Sequence, residues 1–142
     1  MNKSILSLFV LVNIVYGGSL ERTGNIVKDS ITSLWWQDNE DAKTIEITWG
    51  EAIDYCEALE LADNTDWRLP NINELASIVD HDKYDPAIKE NVFQNIISDS
   101  YWSSTTSTNY TDTAWCIHFI NGYTNYHYKS YSSYVRCVRG GQ

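Results

Sequence analysis

The apolar residues of this chain change their period near residue 100. Upstream, Trp49, Ala52, Ile53, Cys56 and Leu59 recur at helical steps, and so do Ile72, Leu75, Ile78 and Val79. That spacing puts each set on one face of a helix. Downstream, Trp115, Ile117 and Phe119 alternate, and the segment from Tyr123 to Lys129 alternates Tyr with Thr, Asn and His. Alternation is the signature of a strand. A chain written this way places helices first and a largely antiparallel sheet after them, which is an α+β domain.

The start signals agree with the periods. Thr48 can cap the first helix and Glu51, three residues on, completes a capping box. Pro70 has no N–H to give and biases Leu69 to extended backbone; Asn71 and Glu74 then form a second box. Leu69-Pro70-Asn71 therefore reads as a hinge into a helix. Trp67 and Leu69 would anchor it in the core, and Arg68 is a planar donor for nearby carboxylates or carbonyls. No nucleophile or acid–base pair adjoins it, so Trp67, Arg68, Pro70 and Glu74, like Trp49 and Trp102, are assigned to structure.

Short strands are expected at Asn25-Ile26-Val27 and Ser33 to Gln37, with a turn at Lys28-Asp29-Ser30. Asp38-Asn39-Glu40-Asp41 reads as a solvated acidic loop. His81 stands between Asp80 and Asp82, but so short a cluster is read as a hydrated turn, and no metal site is assigned. The segment 87–97, with Phe93, is a short helix or irregular. Tyr101 to Thr105 reads as a strand, Asn121-Gly122 as a two-residue hairpin turn, and Tyr134 to Arg139 as a last strand.

Met1 to Ser4 is basic, Ile5 to Val15 is nearly all apolar, and Val15 to Ser19 supplies small residues. This is the layout of an export signal, expected to end at residue 18 and to leave one domain at 19–142. The run is too short for a membrane span, which needs about 20 residues. The net charge of −9 argues against a nucleic-acid partner. Charge is uneven: from Tyr101 onward only Asp112 opposes Lys129, Arg136 and Arg139. Three cysteines, Cys56, Cys116 and Cys137, in an exported chain imply one disulfide and one thiol, with three possible pairings. Cys/His spacing for structural zinc is lacking, and no cofactor is indicated.

The stretches ITWGEAIDYCEALELADNTDWRLPNINELASIVD, YWSST, AWCIHFINGYT and SYVRCVRGG resemble the Lcl C-terminal domain family over about Ile31 to Gly141. That bacterial domain is named after the C-terminal domain of a collagen-like surface adhesin. The family is similar, more distantly, to C-type lectin-like folds and to the formylglycine-generating enzyme. The resemblance implies two helices flanking a twisted, mostly antiparallel sheet with the chain ends close together. It also implies a Cys56–Cys137 disulfide, against the alternative of a cross-strand Cys116–Cys137 bridge. The Glu-Pro-Asn, Gln-Pro-Asp and Trp-Asn-Asp signatures of calcium lectins are absent, as is the enzyme's redox cysteine pair.

These readings lead to an exported, non-catalytic binding module, periplasmic, surface-bound or secreted. Its expected partner is a glycan, sulfated ones included, or an extracellular protein. The candidate ligand-binding residues are Asn121, Tyr123, Asn125, Tyr126, Tyr128, Lys129 and Tyr131, since Tyr offers a flat apolar face with a polar tip. Tyr134 and His127 belong to the same surface, and Lys129, Arg136 and Arg139 would meet sulfate or carboxylate groups. A structural role in a surface or periplasmic assembly is the alternative. An enzyme would have to draw on His118, His127, Ser103 and Ser104, which form no recognisable catalytic motif.

Overall fold

The computed structural model describes residues 19–141; the expected export signal, residues 1–18, lies outside them. The chain is α+β, with two sheets where one was expected. Strands β1 (Leu20–Thr23), β2 (Ile26–Asp29), β3 (Leu34–Gln37) and β9 (Val138–Gly140) form a four-stranded sheet in the order β1-β2-β3-β9. Strands β4 (Glu46–Ile47), β5 (Ser100–Thr106), β6 (Thr113–His118), β7 (Tyr123–Tyr128) and β8 (Ser133–Tyr134) form a second sheet, ordered β4-β8-β5-β6-β7. All pairings are antiparallel except β5 with β8. The helices are α1 (Asp41–Thr44), α2 (Trp49–Ala58) and α3 (Ile72–Ala76), three short ones instead of two. The first and last strands share a sheet, which keeps both ends of the domain in one layer.

Both capping boxes form. The Glu51 carboxylate accepts the Thr48 N–H at 3.0 Å, and Asn71 and Glu74 bond each other's backbone N–H at 2.8 and 2.9 Å. The expected turn at Lys28-Asp29-Ser30 begins later. β2 runs through Asp29, whose carboxylate takes the Ile31 N–H and turns the chain there. The hairpin between β6 and β7 is also wider than two residues: it takes Phe119 to Gly122. Phe119 is buried, and its N–H bonds to the Asp99 carbonyl on the β5 side. Gly122 has φ +78°, and a Cβ there would stand 2.5 Å from Val79 Cγ1, so the turn packs where only glycine fits.

The expected last strand, Tyr134 to Arg139, is cut in two. β8 ends at Tyr134, Val135-Arg136-Cys137 crosses between sheets, and β9 starts at Val138. The crossing carries the Cys56–Cys137 disulfide, with Cα atoms 5.5 Å apart. Gln37 fastens it on the other side: Gln37 N–H bonds the Cys137 carbonyl, and the Gln37 side-chain oxygen accepts the Cys137 N–H, both at 3.0 Å.

Each face of the five-stranded sheet covers an apolar cluster. Tyr101 and Ile117, cross-strand partners, face Leu75, Ile78, Phe93 and Phe119. Trp102 and Cys116, the next pair, face Ala52, Cys56, Trp67, Leu69 and Cys137. β5 and β6 are therefore buried on both sides, which is why Cys116 is as buried as Ile117 although they point opposite ways.

The hinge at residues 67–74 is tied down through Arg68 and Pro70. Arg68 grips the Glu74 carboxylate with two bonds of 2.7 Å and the Gly140 carbonyl at 3.0 Å. Its backbone pairs with Val138, and the carbonyl of buried Pro70 accepts the Ser104 N–H at 2.8 Å. Burial pushes the Glu74 carboxyl up, but the bonds from Arg68 and from the Asn71 N–H, with the Arg68 charge, outweigh it and hold the pKa below the ordinary range. A depressed carboxyl stabilises the fold above its unfolded pKa, and that contribution is lost as pH falls through the folded value. Glu74→Gln should cost about 1–3 kcal/mol at neutral pH, toward the lower end because Arg68 is 31% exposed. Urea midpoints taken against pH should show wild type and variant converging in acid. A constant gap would show that the charge is not what matters.

Candidate functional site

β7 is the outermost strand of its sheet, and its six residues are exposed except for half-buried His127. Side chains alternate along a strand. Tyr126 and Tyr128 thus share the face of their partners Trp115 and Thr113, while Tyr123, Asn125 and His127 share the face of His118, Cys116 and Ala114. Two loops rise beside the first face. Thr113 bonds the Tyr110 carbonyl through its hydroxyl at 2.7 Å and its N–H at 2.9 Å, which fixes Tyr110. The Tyr131 N–H bonds the Tyr128 carbonyl at 2.9 Å, and Lys129 N–H ties this loop to the Asp112 carbonyl at 2.8 Å.

The result is a surface cavity of about 430 Å³ lined by Tyr110, Thr113, Tyr126, His127, Tyr128 and Tyr131. Tyr110 stacks on Tyr126 at 6.0 Å between ring centres, Trp115 meets Tyr126 edge-on at 5.5 Å, and Tyr128 meets Tyr131 at 5.4 Å. The four tyrosines remain 45–60% exposed, so these faces are open to a ligand and not filled by the protein.

The candidate residues separate accordingly. Tyr126, Tyr128 and Tyr131 line the cavity. Tyr123 and Asn125 point to the other face of β7, Asn125 Oδ1 accepts the Tyr126 N–H, and Asn121 Oδ1 accepts the Tyr123 N–H in the turn. Tyr134 packs inward on Tyr101. Lys129 lies over the Trp49 indole, 4.0 Å from the ring centre, outside the cavity lining. Arg136 is wholly buried against Asp38 and Arg139 is bonded to Asp66, so the expected cationic patch is not assembled. Each of these cations is drawn to a nearer carboxylate or aromatic ring. Tyr110 and Thr113 are additions; Thr113 opens β6, and Tyr110 lies in the polar stretch before it, where only the loop's own bonds reveal that Tyr110 is held at the site.

Trp49, Trp67 and Trp102 each donate the indole N–H to a backbone carbonyl, of Ser103, of Leu61 and Asn64, and of Ile47. Ser103 donates its hydroxyl to the Trp115 carbonyl and does not join a histidine. Ser104 is exposed and gives its N–H to Pro70. His118 Nδ1 accepts the Ile120 N–H at 3.4 Å. His127 Nδ1 instead lies 3.2 Å from the Ser133 hydroxyl. Burial and the neighbouring His118 lower the His127 pKa against the pull of Asp99, which favours the neutral ring. Cys116 is free and buried, and burial pushes its thiol up to about 12. Among the described residues no cluster of His, Cys, Asp and Glu could hold a metal ion, and no helix is long and apolar enough to cross a membrane.

The profile of the Lcl C-terminal domain matches residues 25–139, and the chain belongs to that family. Comparison with curated proteins gives no match.

Proposed function

We propose that this chain is an exported, non-catalytic recognition domain of C-type lectin-like character, and that the tyrosine cavity beside β7 takes a glycan or a protein partner at the cell surface. The carrying observation is the cavity itself: four half-exposed rings from one strand and two tethered loops, converging on one space. Rings presented this way give large contact area at little entropic cost. A disulfide in the core suits an oxidising compartment.

Catalysis is less well supported. Among the described residues the one Ser–His hydrogen bond, Ser133 with His127, places the nucleophile oxygen on a residue only 2% exposed, out of reach of a substrate carbonyl. The second reading, a structural part of a surface assembly, is favoured by the open edge of β7, which offers unpaired backbone to another strand. Binding of the purified protein to a glycan array and to surface extracts separates the two. Glycan binding that falls at least about tenfold in both Tyr126→Ala and Tyr128→Ala supports the recognition site. Binding indifferent to both variants would move the site elsewhere.

A further inference from the structure

We infer that the tyrosine cavity selects uncharged saccharide units and discriminates against sulfated or carboxylated ones. This rests on the recognition reading above and names the ligand class for that site.

The lining contains no Lys, Arg, Asp or Glu; His127 is its only titratable basic group. An anionic sugar gains its affinity from cations placed at the ring substituents. The three cations of the C-terminal third are all committed elsewhere. Lys129, the one nearest in sequence, leans on Trp49. Arg139 holds Asp66 at 2.6 and 3.1 Å and covers Trp35 at 4.5 Å. Arg136 has no exposed surface. His127 does not replace them, since its Nδ1 faces the Ser133 hydroxyl and its surroundings disfavour the charged ring. The nearest acid in sequence is Asp112, exposed and adjacent to lining residue Thr113. Its carboxylate and the overall charge of −9 both repel a polyanion.

What remains attracts a neutral sugar. A tyrosine ring face is electron-rich and meets the slightly positive C–H face of a pyranose. Tyr126 and Tyr128, two residues apart on one face of β7, stand about 7 Å apart along the strand, and both rings are half exposed, so each offers surface to a sugar ring. Tyr55 and Tyr101 commit their hydroxyls to Asp41 and to the Ala42 carbonyl, whereas the four cavity tyrosines keep theirs at the surface to bond sugar hydroxyls. A volume of about 430 Å³ is in the lower part of the range for small-ligand sites, about 300–1,000 Å³, which suits the end of an oligosaccharide better than a long polymer.

The test is an array of matched pairs, each neutral oligosaccharide beside its sulfated form, probed with the oxidised protein at low and high salt. The inference expects neutral members to bind, with affinity nearly independent of salt. It expects sulfation to weaken binding, and Tyr126→Ala and Tyr128→Ala each to lose at least about tenfold, with unchanged melting temperatures showing that the variants fold. Tyr84→Ala, exposed and remote from the cavity, should bind as wild type. Preference for the sulfated members, abolished by high salt and by Lys129→Gln, would overturn the neutral-ligand inference while leaving glycan recognition standing. No glycan bound at all would overturn the saccharide inference and leave a protein as the cavity's partner, and neutral glycans bound equally well by both tyrosine variants would overturn the assignment of the cavity itself.

Discussion

Asp38→Ala is expected to destabilise the fold by about 3–5 kcal/mol, the cost of stranding a buried charge. The Asp38 side chain has no exposed surface. Its carboxylate pairs with Arg136 at 3.0 Å and with Arg22, and accepts the N–H groups of Gln94 and Asn95 at 2.9 and 3.0 Å. Arg136 is equally buried, donates to the carbonyls of Gln37 and Asn95, and lies over the rings of Phe93 and Tyr101. Removing the carboxylate leaves the guanidinium without a counter-charge and two backbone N–H groups without acceptors. Such a loss is a large part of a typical domain's total stability of about 5–15 kcal/mol. Adding Arg136→Met should recover part of it, because a well-packed apolar pair often does no worse than a buried ion pair. Guanidinium unfolding of the single and double variants reads both numbers. A single variant within about 1 kcal/mol of wild type would show that the charge is solvated and that the hub is not what joins the two sheets.

That aspartate also shows where sequence reading stops. In Asp38-Asn39-Glu40-Asp41 nothing local separates the buried carboxylate from its neighbours, since its partner stands 98 residues away. The break in the last strand has the same origin: Arg136 and Cys137 alternate like any strand residues until their distant partners pull them across between the sheets. Features set within a few residues were legible. Both capping boxes join residues three apart, so side-chain chemistry at fixed spacing foretold them; Arg68 read only as a donor for nearby carboxylates or carbonyls, and the structure names Glu74, six residues on, as its partner. β1 carries little signal, its Leu-Glu-Arg-Thr being half charged; it is a strand because β2 offers it an edge. The candidate site lies between these cases. The Tyr-rich strand could be read, and alternation alone separates Tyr126 and Tyr128 from Tyr123 and Asn125. The convergence of Tyr110 and Tyr131 on them depends on loop bonds that no period records.

Opening the Cys56–Cys137 bridge is expected to cost about 4–5 kcal/mol, from the entropy an 81-residue separation returns to the unfolded chain. The loop it closes contains α3 and β5 to β8, so both faces of the five-stranded sheet depend on it, whereas β1 to β3 lie outside. The sharpest measurement compares unfolding midpoints of wild type with and without reductant. Cys116→Ala should keep the full reductant effect, because Cys116 takes no part in the bridge. Cys56→Ser should reproduce the reduced midpoint, provided that Cys116 is also replaced; the two remaining sulfurs otherwise share one apolar cluster and can pair. Thiol labelling gives an independent check. A buried thiol with pKa near 12 is almost wholly protonated at neutral pH and unreactive. Native protein should therefore take up no alkylating agent, unfolded unreduced protein should be labelled at Cys116 alone, and reduced protein at all three cysteines. Label on Cys56 in unfolded, unreduced protein would mean that helix α2 is not tied to the crossing at Cys137. The rigid frame that holds the tyrosine cavity would then have to be sought in the Asp38–Arg136 hub alone.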